Sequence, residues 1–454
     1  MTDQTQAAKS GGSTLGLAII YVTTLFFIWA VITNLLNPAL AAMKAIFHLD
    51  PVTANLQNFA FFIAYGVMSI PAAGFLAKRG YATSVLVGLG GIVLGCLIAL
   101  ISTKIASYPV FLFALFVMAS GITLLQVTAN PLIAAMGSPS RSAFRLNLSQ
   151  AFNSLGAATA IFFGASYLLK GEAFAPDVVI TEAMKSQALG EVGAVYLKLG
   201  IALAIFIGLV YFVRDVISQN APKIATSAPS PFSALSSKWA VLGAVAIFVY
   251  VGAEVSIDSN MINYLEQKQI LNISKLDAGH LGTWYMIFAM LGRFLGAALM
   301  IKFLRGHTVL QFAAMGAVAL CAYIALNHGA TQGASTGSFV MPIVNVTVPI
   351  GPGTGIGMAA ICVGIFNSIM FPTIFTTTLE RSSAPASATS GLLCVAIVGG
   401  AFIPLLFAQV SKMTGSYSLA FIVPAICYAY ILWFANAAKS APIHTIEEGV
   451  SGGH

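Results

Sequence analysis

The sequence predicts an all-α membrane protein of twelve transmembrane helices, arranged as two pseudo-symmetric six-helix bundles. Three observations carry that expectation. Charged residues make up 8% of the 454 positions while apolar residues reach 58%, against roughly 25% charged in ordinary soluble domains. The apolar runs are each about 20 residues or longer, enough to cross a bilayer as helix. A polar linker rich in Pro, Ser and Ala at 214–238 divides them six and six. A soluble enzyme, a secreted disulfide scaffold and a disordered chain are excluded on these grounds.

Taken in order, the apolar segments fall at 15–46, 53–78, 81–103, 108–136, 143–169, 192–213, 239–266, 277–303, 308–327, 356–379, 385–411 and 416–438. Short polar connections between them imply antiparallel neighbours. The expected organisation is a cytoplasmic tail at 1–14, a bundle at 15–213, a cytoplasmic linker at 214–238, a second bundle at 239–438 and a cytoplasmic tail at 439–454. The stretch 170–191, with Glu172, Asp177, Glu182 and Glu191, reads as a longer connection, and 328–355 mixes Gly, Pro and short apolar pieces without an assignable element. An even number of crossings puts both termini on one side. That side carries twelve Lys and Arg against eight on the other, with Arg293 inside a span. Lys/Arg excess marks the cytoplasmic face. The +7 net charge follows from this bias and gives no sign of a nucleic-acid partner. The five cysteines lie inside apolar stretches with no Cys-x-x-Cys pair and read as small packing residues. The polar start leads into an apolar run too long for a cleavable signal core.

An internal repeat is visible between the halves. Aligning Trp29 with Tyr250 sets Thr33 opposite Glu254 and Asn37 opposite Asp258. Gln126 and Asn367 each stand five residues before a proline, Pro131 and Pro372. The basic turns at 78–80 and 302–306 also match. Many transporters are tandem duplications of this kind.

Charged groups inside a span cost about 2.5–3.5 kcal/mol each on insertion scales, and three qualify: Glu254, Asp258 and Arg293. The two acids are one helical turn apart and share a face with Tyr250. Their mutual repulsion makes reversible proton uptake at the pair accessible. With Ser256, Ser259, Asn260 and Asn263 they could instead bind a hard cation such as Na⁺, and neutralisation by Arg293 as a purely structural pair is the competing reading. Gln57, Asn58, Gln126, Asn130, Asn147, Gln150, Asn153, Ser154, Asn260 and Asn367 are polar groups in apolar surroundings, with Asn147, Gln150 and Ser154 on one helical face. Amides both donate and accept, as sugar hydroxyls do; helix-to-helix hydrogen bonding is the alternative use. Trp29 and Trp284 lie beside these groups in sequence and are the candidate stacking surfaces. Prolines at 71, 131, 372, 404 and 424 permit kinks. No zinc-protease, phosphate-loop or Asp-rich metal motif is present, so an enzyme is not expected and ATP-driven transport has no engine here.

The runs Phe144-Arg-Leu-Asn-Leu-Ser-Gln-Ala-Phe-Asn-Ser-Leu-Gly156 and Leu125-Gln-Val-Thr-Ala-Asn-Pro131 resemble the fucose–galactose–glucose permeases of the major facilitator superfamily. Tyr250-Val-Gly-Ala-Glu-Val-Ser256, Phe371-Pro-Thr-Ile-Phe375 and Cys394-Val-Ala-Ile-Val-Gly-Gly400 look like its glucose/galactose branch. The resemblance spans nearly the whole chain. It implies the major facilitator fold, a central sugar site, alternating access, a bacterial inner membrane and sugar–proton symport. Two departures stand out. By the resemblance, Asn37 and Gln126 occupy positions that are acidic in the fucose permeases, and Asp258 stands where the family suggests glycine. One reading is a carboxylate moved across the pseudo-twofold axis from the first helix to the seventh, since Asn37 and Asp258 align in the repeat.

The expected function is therefore import of a hexose or hexose derivative (glucose, galactose, fucose or N-acetylglucosamine class) by a cation-coupled symporter, with H⁺ favoured over Na⁺. The alternatives are a Na⁺-coupled symporter or a uniporter of the same sugars, a drug or lipid exporter, and a sugar sensor. Trp29, Asn37, Gln57, Gln126, Asn147, Gln150, Asn153, Asn260, Trp284 and Asn367 are the expected substrate contacts, and Glu254 and Asp258 the ion-coupling pair. No resident cofactor or metal is expected, and the chain is expected to act as a monomer in the lipid bilayer.

Overall fold

A long apolar run in a bilayer can satisfy its backbone polar groups internally as helix. The computed structural model describes residues 2–135, 142–175, 178, 180–221, 230–302, 306–329 and 336–442. In chain order the first half comprises α1 (Thr2–Asn34), α2 (Leu36–Ile46), α3 (Pro51–Arg79), α4 (Tyr81–Lys104), α5 (Tyr108–Ala135), α6 (Ser142–Leu168) and α7 (Glu182–Phe212). A short α8 (Arg214–Asn220) leads to α9 (Lys238–Leu265), α10 (Lys275–Lys302), α11 (Gly306–Leu326), α12 (Thr354–Asn367) and α13 (Met370–Arg381). The chain ends with α14 (Ala386–Val395), α15 (Gly399–Thr414), α16 (Tyr417–Ala420) and α17 (Ile422–Lys439). The pairs α1/α2, α12/α13, α14/α15 and α16/α17 are each one interrupted crossing, which leaves twelve passes among the described residues. Eleven qualify on length and apolarity; the other is α10, which carries Arg293.

Helix ends fall within a turn of their expected places at most crossings, with two differences. α1 begins at Thr2, so the 1–14 tail continues the first helix. α7 begins at Glu182 rather than near 192 because Thr181 caps it, its hydroxyl accepting from the Met184 amide at 3.3 Å. The charges that made 182–191 look like a connection lie along this first part of the helix, where Lys185 pairs with Glu182 at 3.8 Å. The unassigned stretch 328–355 contains the one sheet among the described residues, an antiparallel hairpin of β1 (Gly337–Met341) and β2 (Val346–Ile350).

Proline sets several of the interruptions. A proline lacks the N–H that would bond residue i−4 and its ring crowds that carbonyl. Pro38, Pro372 and Pro424 each stand about one turn past a break, at Leu35, at Ser368–Ile369 and at Phe421. Pro71 sits inside an unbroken α3. Glycine sets the close approaches. A Cβ on Gly399 would lie 1.9 Å from the Phe248 carbonyl of α9, and one on Gly292 equally close to the Ile365 carbonyl of α12.

Within the first half α4 packs on α5 and α7, and α1 on α6; within the second, α11 packs on α17 and α10 on α12. The halves join through α2 with α9, α3 with α15, and α6 with α10. Their hydrogen bonds gather from the middle of the bundle to the end remote from the chain termini, and that end is closed.

Gly399→Ala is expected to cost about 1–3 kcal/mol through overpacking and to lower the thermal midpoint in detergent. Gly74, with nothing within 4 Å of its would-be Cβ, is the control: Gly74→Ala should not lower the midpoint in the same fluorescence melt, since alanine is the better helix former.

Candidate functional site

Side-chain amides from the first half grip three successive residues of α9 at the closed end. Asn37 Nδ2 donates to Asp258 Oδ2 at 2.6 Å. Asn58 Nδ2 donates to Ser259 Oγ at 2.8 Å, and Asn55 Nδ2 to Asn260 Oδ1 at 3.0 Å. Three consecutive helical residues point over about 200° of arc, so α2 and α3 must hold α9 from two sides. A further ring of contacts surrounds them. Lys44 Nζ donates to the Tyr417 hydroxyl at 2.8 Å, and Lys412 Nζ meets Asp50 Oδ1 at 3.2 Å. The His280 ring stacks on Phe162 at 4.5 Å, and its Nε2 lies 2.8 Å from Ser166 Oγ.

One turn deeper on α9 lies Glu254, about 24 Å along a helix of about 42 Å and so near the middle of the span. It lies within hydrogen-bonding reach of Tyr250, and the Arg293 charge acts on it. Tyr250 donates to the Asn367 carbonyl at 2.9 Å, and Asn367 Nδ2 donates to the Tyr285 hydroxyl at 2.5 Å. Arg293 Nη1 reaches across the halves to Ser154 Oγ at 3.1 Å. On the opposing side Gln126 Nε2 donates to the Tyr65 hydroxyl at 3.0 Å, which also bonds Thr33. Asn153 Nδ2 donates to the Phe26 carbonyl at 3.1 Å, and Trp29 leans on the Phe26 ring at 4.2 Å.

The expected site residues therefore separate into groups. Gln126, Asn153, Glu254 and Asp258 keep accessible surface, as does Arg293 beside them. Asn260 and Asn367 are at most 1% exposed and bonded within the protein. Gln57, fully buried, donates to the Leu36 carbonyl at 2.6 Å, just past the α1/α2 break; it pegs that break. Asn147 and Gln150 lie on the α6 backbone, with their side chains outside the described residues.

Trp284 lies apart from these groups. Its indole donates to the Pro342 carbonyl of the hairpin at 3.2 Å, and it shares a stripe with Phe288, Leu291 and Leu295, the last two 51% and 57% exposed. Trp284 and Arg293 are nine residues apart, two and a half turns, so they face opposite ways. Proximity in sequence suggested a shared chamber, and helix rotation forbids it. Asn55, not singled out from sequence, had a usable signal: it stands one turn before Asn58 on the same face.

Residues 17–404 match the family model described as Major Facilitator Superfamily. The chain belongs to that superfamily. It is 36% identical over 419 residues to the "Glucose/galactose transporter" of Brucella abortus, covering 92% of this chain and 93% of the relative. It is 28% identical over 455 residues to the "L-fucose-proton symporter" of Escherichia coli, covering 95% and 97%. The crystal structure of the superfamily transporter FucP in the outward conformation superposes with a TM-score of 0.65 at 27% identity, over 94% of this chain and 99% of that one. A bacterial Spinster homologue in an inward-facing, unoccupied conformation superposes at 0.67 over 94% and 98%, and at 13% identity that likeness is one of fold.

In this superfamily member the surface latch at the closed end has a definite pH behaviour. Asp50 caps α3, accepting from Thr53 Oγ1 at 2.5 Å and from the Val52 amide at 3.1 Å. Thr53 foremost, with Lys412 and that amide, holds the Asp50 carboxyl below its ordinary range against the opposing effect of burial. A lowered carboxylate contributes stability above its unfolded value, near 4, and loses it as pH falls through the lower folded value. The difference in thermal midpoint between wild type and Asp50→Asn should thus be flat from about pH 5 to 8 and vanish only in stronger acid. A difference that changes between pH 6 and 8 would assign the titration elsewhere.

Proposed function

We propose that this chain is a secondary transporter that imports a hexose-class sugar by alternating access, coupled to a cation at Glu254 and Asp258. The observation that carries the reading is the Asn37–Asp258 hydrogen bond. It joins the two positions that align in the internal repeat, and it makes the closed end depend on the state of an acid placed mid-bundle. The names of the relatives, glucose/galactose transporter and L-fucose-proton symporter, support both the substrate class and the coupling. H⁺ is favoured over Na⁺. Ser259 Oγ and Asn260 Oδ1, two of the oxygens a cation would need beside the acids, already accept from Asn58 and Asn55.

Trp29, Gln126 and Asn153 are the proposed sugar contacts, joined by Asn147 and Gln150 from α6. Asn37, Asn260 and Asn367 act in the changing contacts between helices. Residues 15–213 rock against 239–438. With both termini cytoplasmic, as the Lys/Arg bias supports, the closed end is periplasmic and this conformation opens inward. A monomer in a bacterial inner membrane is the proposed setting.

Uptake into proteoliposomes should be followed across glucose, galactose, fucose and N-acetylglucosamine, with proton and sodium gradients imposed separately. Glu254→Gln and Asp258→Asn should each abolish gradient-driven accumulation while leaving sugar exchange measurable. Undiminished pH-dependent accumulation in Asp258→Asn would remove that residue from coupling, and a response to sodium alone would assign the ion as Na⁺. Trp29→Ala should raise KM roughly tenfold, about 1.4 kcal/mol, whereas Trp284→Ala should leave KM unchanged.

A further inference from the structure

The hairpin between α11 and α12 is built unlike a water-exposed loop. From 306 to 379 the chain contains no Asp, Glu, Lys or Arg, whereas the other long connection at the closed end carries Lys170, Glu172, Asp177 and Glu182. Val346 and Val348 pack inward, 2% and 0% exposed, against α10 and α12. Val340 and Ile343 project outward at 59% and 70% exposure, while Phe339, directly across from Val348, lies at the rim of the inward face at 37%. The tip is pinned by Trp284, whose Nε1 donates to the Pro342 carbonyl. Trp284 stands nine residues into α10, just past a polar first stretch that carries Lys275, Asp277 and His280. Because Trp284 belongs to the bilayer-facing stripe with Leu291 and Leu295, the exposed apolar tip continues a lipid-facing surface. A two-stranded sheet has two free edges, and in hydrocarbon each unsatisfied backbone group costs several kcal/mol. The hairpin therefore cannot sit in the hydrocarbon core. The boundary between headgroups and acyl chains suits it, since indole rings concentrate there.

We propose that Gly337–Ile350 is an interfacial membrane anchor, with Val340 and Ile343 lodged among the lipids of the leaflet at the closed end. It fixes the depth of α10 and α12 in the bilayer, so the second half has a footing against which the first half rocks. The anchor stands independently of which sugar or ion the protein moves.

The test places nitroxide labels on Val340→Cys and Ile343→Cys, in a background free of the five native cysteines, in phosphatidylethanolamine/phosphatidylglycerol vesicles. Glu172→Cys, on the charged connection of the same end, is the aqueous reference. Both hairpin labels should collide with oxygen in preference to a water-soluble nickel chelate, by a ratio several-fold above that of the reference. A ratio equal to the reference places the hairpin in water and overturns the proposal. Shielding from both reagents, with dipolar broadening between labels, assigns the surface to a second copy of the chain and also overturns it. Should the cysteine-free background not fold, benzoylphenylalanine at position 340 in the native chain should form adducts with lipid on illumination. Adducts with protein alone would sink the anchor.

Discussion

The arrangement rests on how a carboxylate deep in a membrane protein is answered. Among the described residues Asp258 pairs with no basic side chain; it accepts from Asn37, which belongs to the other half of the molecule. Its satisfaction and the closure of the bundle are therefore one event. Glu254, a single turn away, has a different environment, with Tyr250 on its own helix and the Arg293 charge from α10. Giving each acid its own partner lets two like charges occupy one helix face. Both acids keep some accessible surface, as do Gln126, Asn153 and Arg293, and of the two it is Asp258 that is bonded to the other half.

Magnitudes decide what that seam can do. Hydrogen bonds between membrane helices average about 0.6 kcal/mol and reach about 1.7, so the three amide bridges onto α9 contribute roughly 2–5 kcal/mol in all. Inverting a two-state population from 1:99 to 99:1 takes about 5.5 kcal/mol. Converting Asp258 from a charged to a neutral acceptor weakens its bond by about 1–1.5 kcal/mol, the gap between charged and neutral hydrogen bonds. A proton by itself biases the closed end without opening it, and the binding energy of a ligand must supply the remainder. Two inputs that are each insufficient limit futile leakage of either one.

The crossings were legible because a bilayer allows so few alternatives: an apolar run of the right length becomes helix, and its ends follow the polar residues to within a turn. The repeat was legible too, and the pair it aligned, Asn37 with Asp258, proved to be in direct contact. Rotation about a helix axis was harder to read. Trp284 sits beside polar residues in sequence yet points away from Arg293, since nine residues is a half-integral number of turns. Gln57 has the chemistry of a ligand contact, but the carbonyl beside a proline break claims it. The hairpin escaped because its strands are short and alternate weakly, and because Gly and Pro on either side read equally well as loop.

The repeat is also informative where it breaks. Pro38 interrupts the first crossing beside Asn37, whereas α9 runs straight through the aligned position at Asp258. In the other aligned pair the roles reverse: α5 is continuous past Pro131, and the second half breaks between Asn367 and Met370 ahead of Pro372. Each repeat-related pair thus opposes one continuous helix with one jointed helix. In the proposed cycle the continuous member of the first pair carries both acids and would act as the lever, while the jointed member supplies the amide that must let go and re-form. Pro38 has no N–H to offer the Asn34 carbonyl, so the first crossing bends there at low cost. Two straight helices would have to separate along their whole length, and two jointed ones would transmit nothing from the chamber to the seam. The asymmetry places compliance at Asn37 and stiffness at Asp258, which is what a latch worked from the middle of the membrane requires.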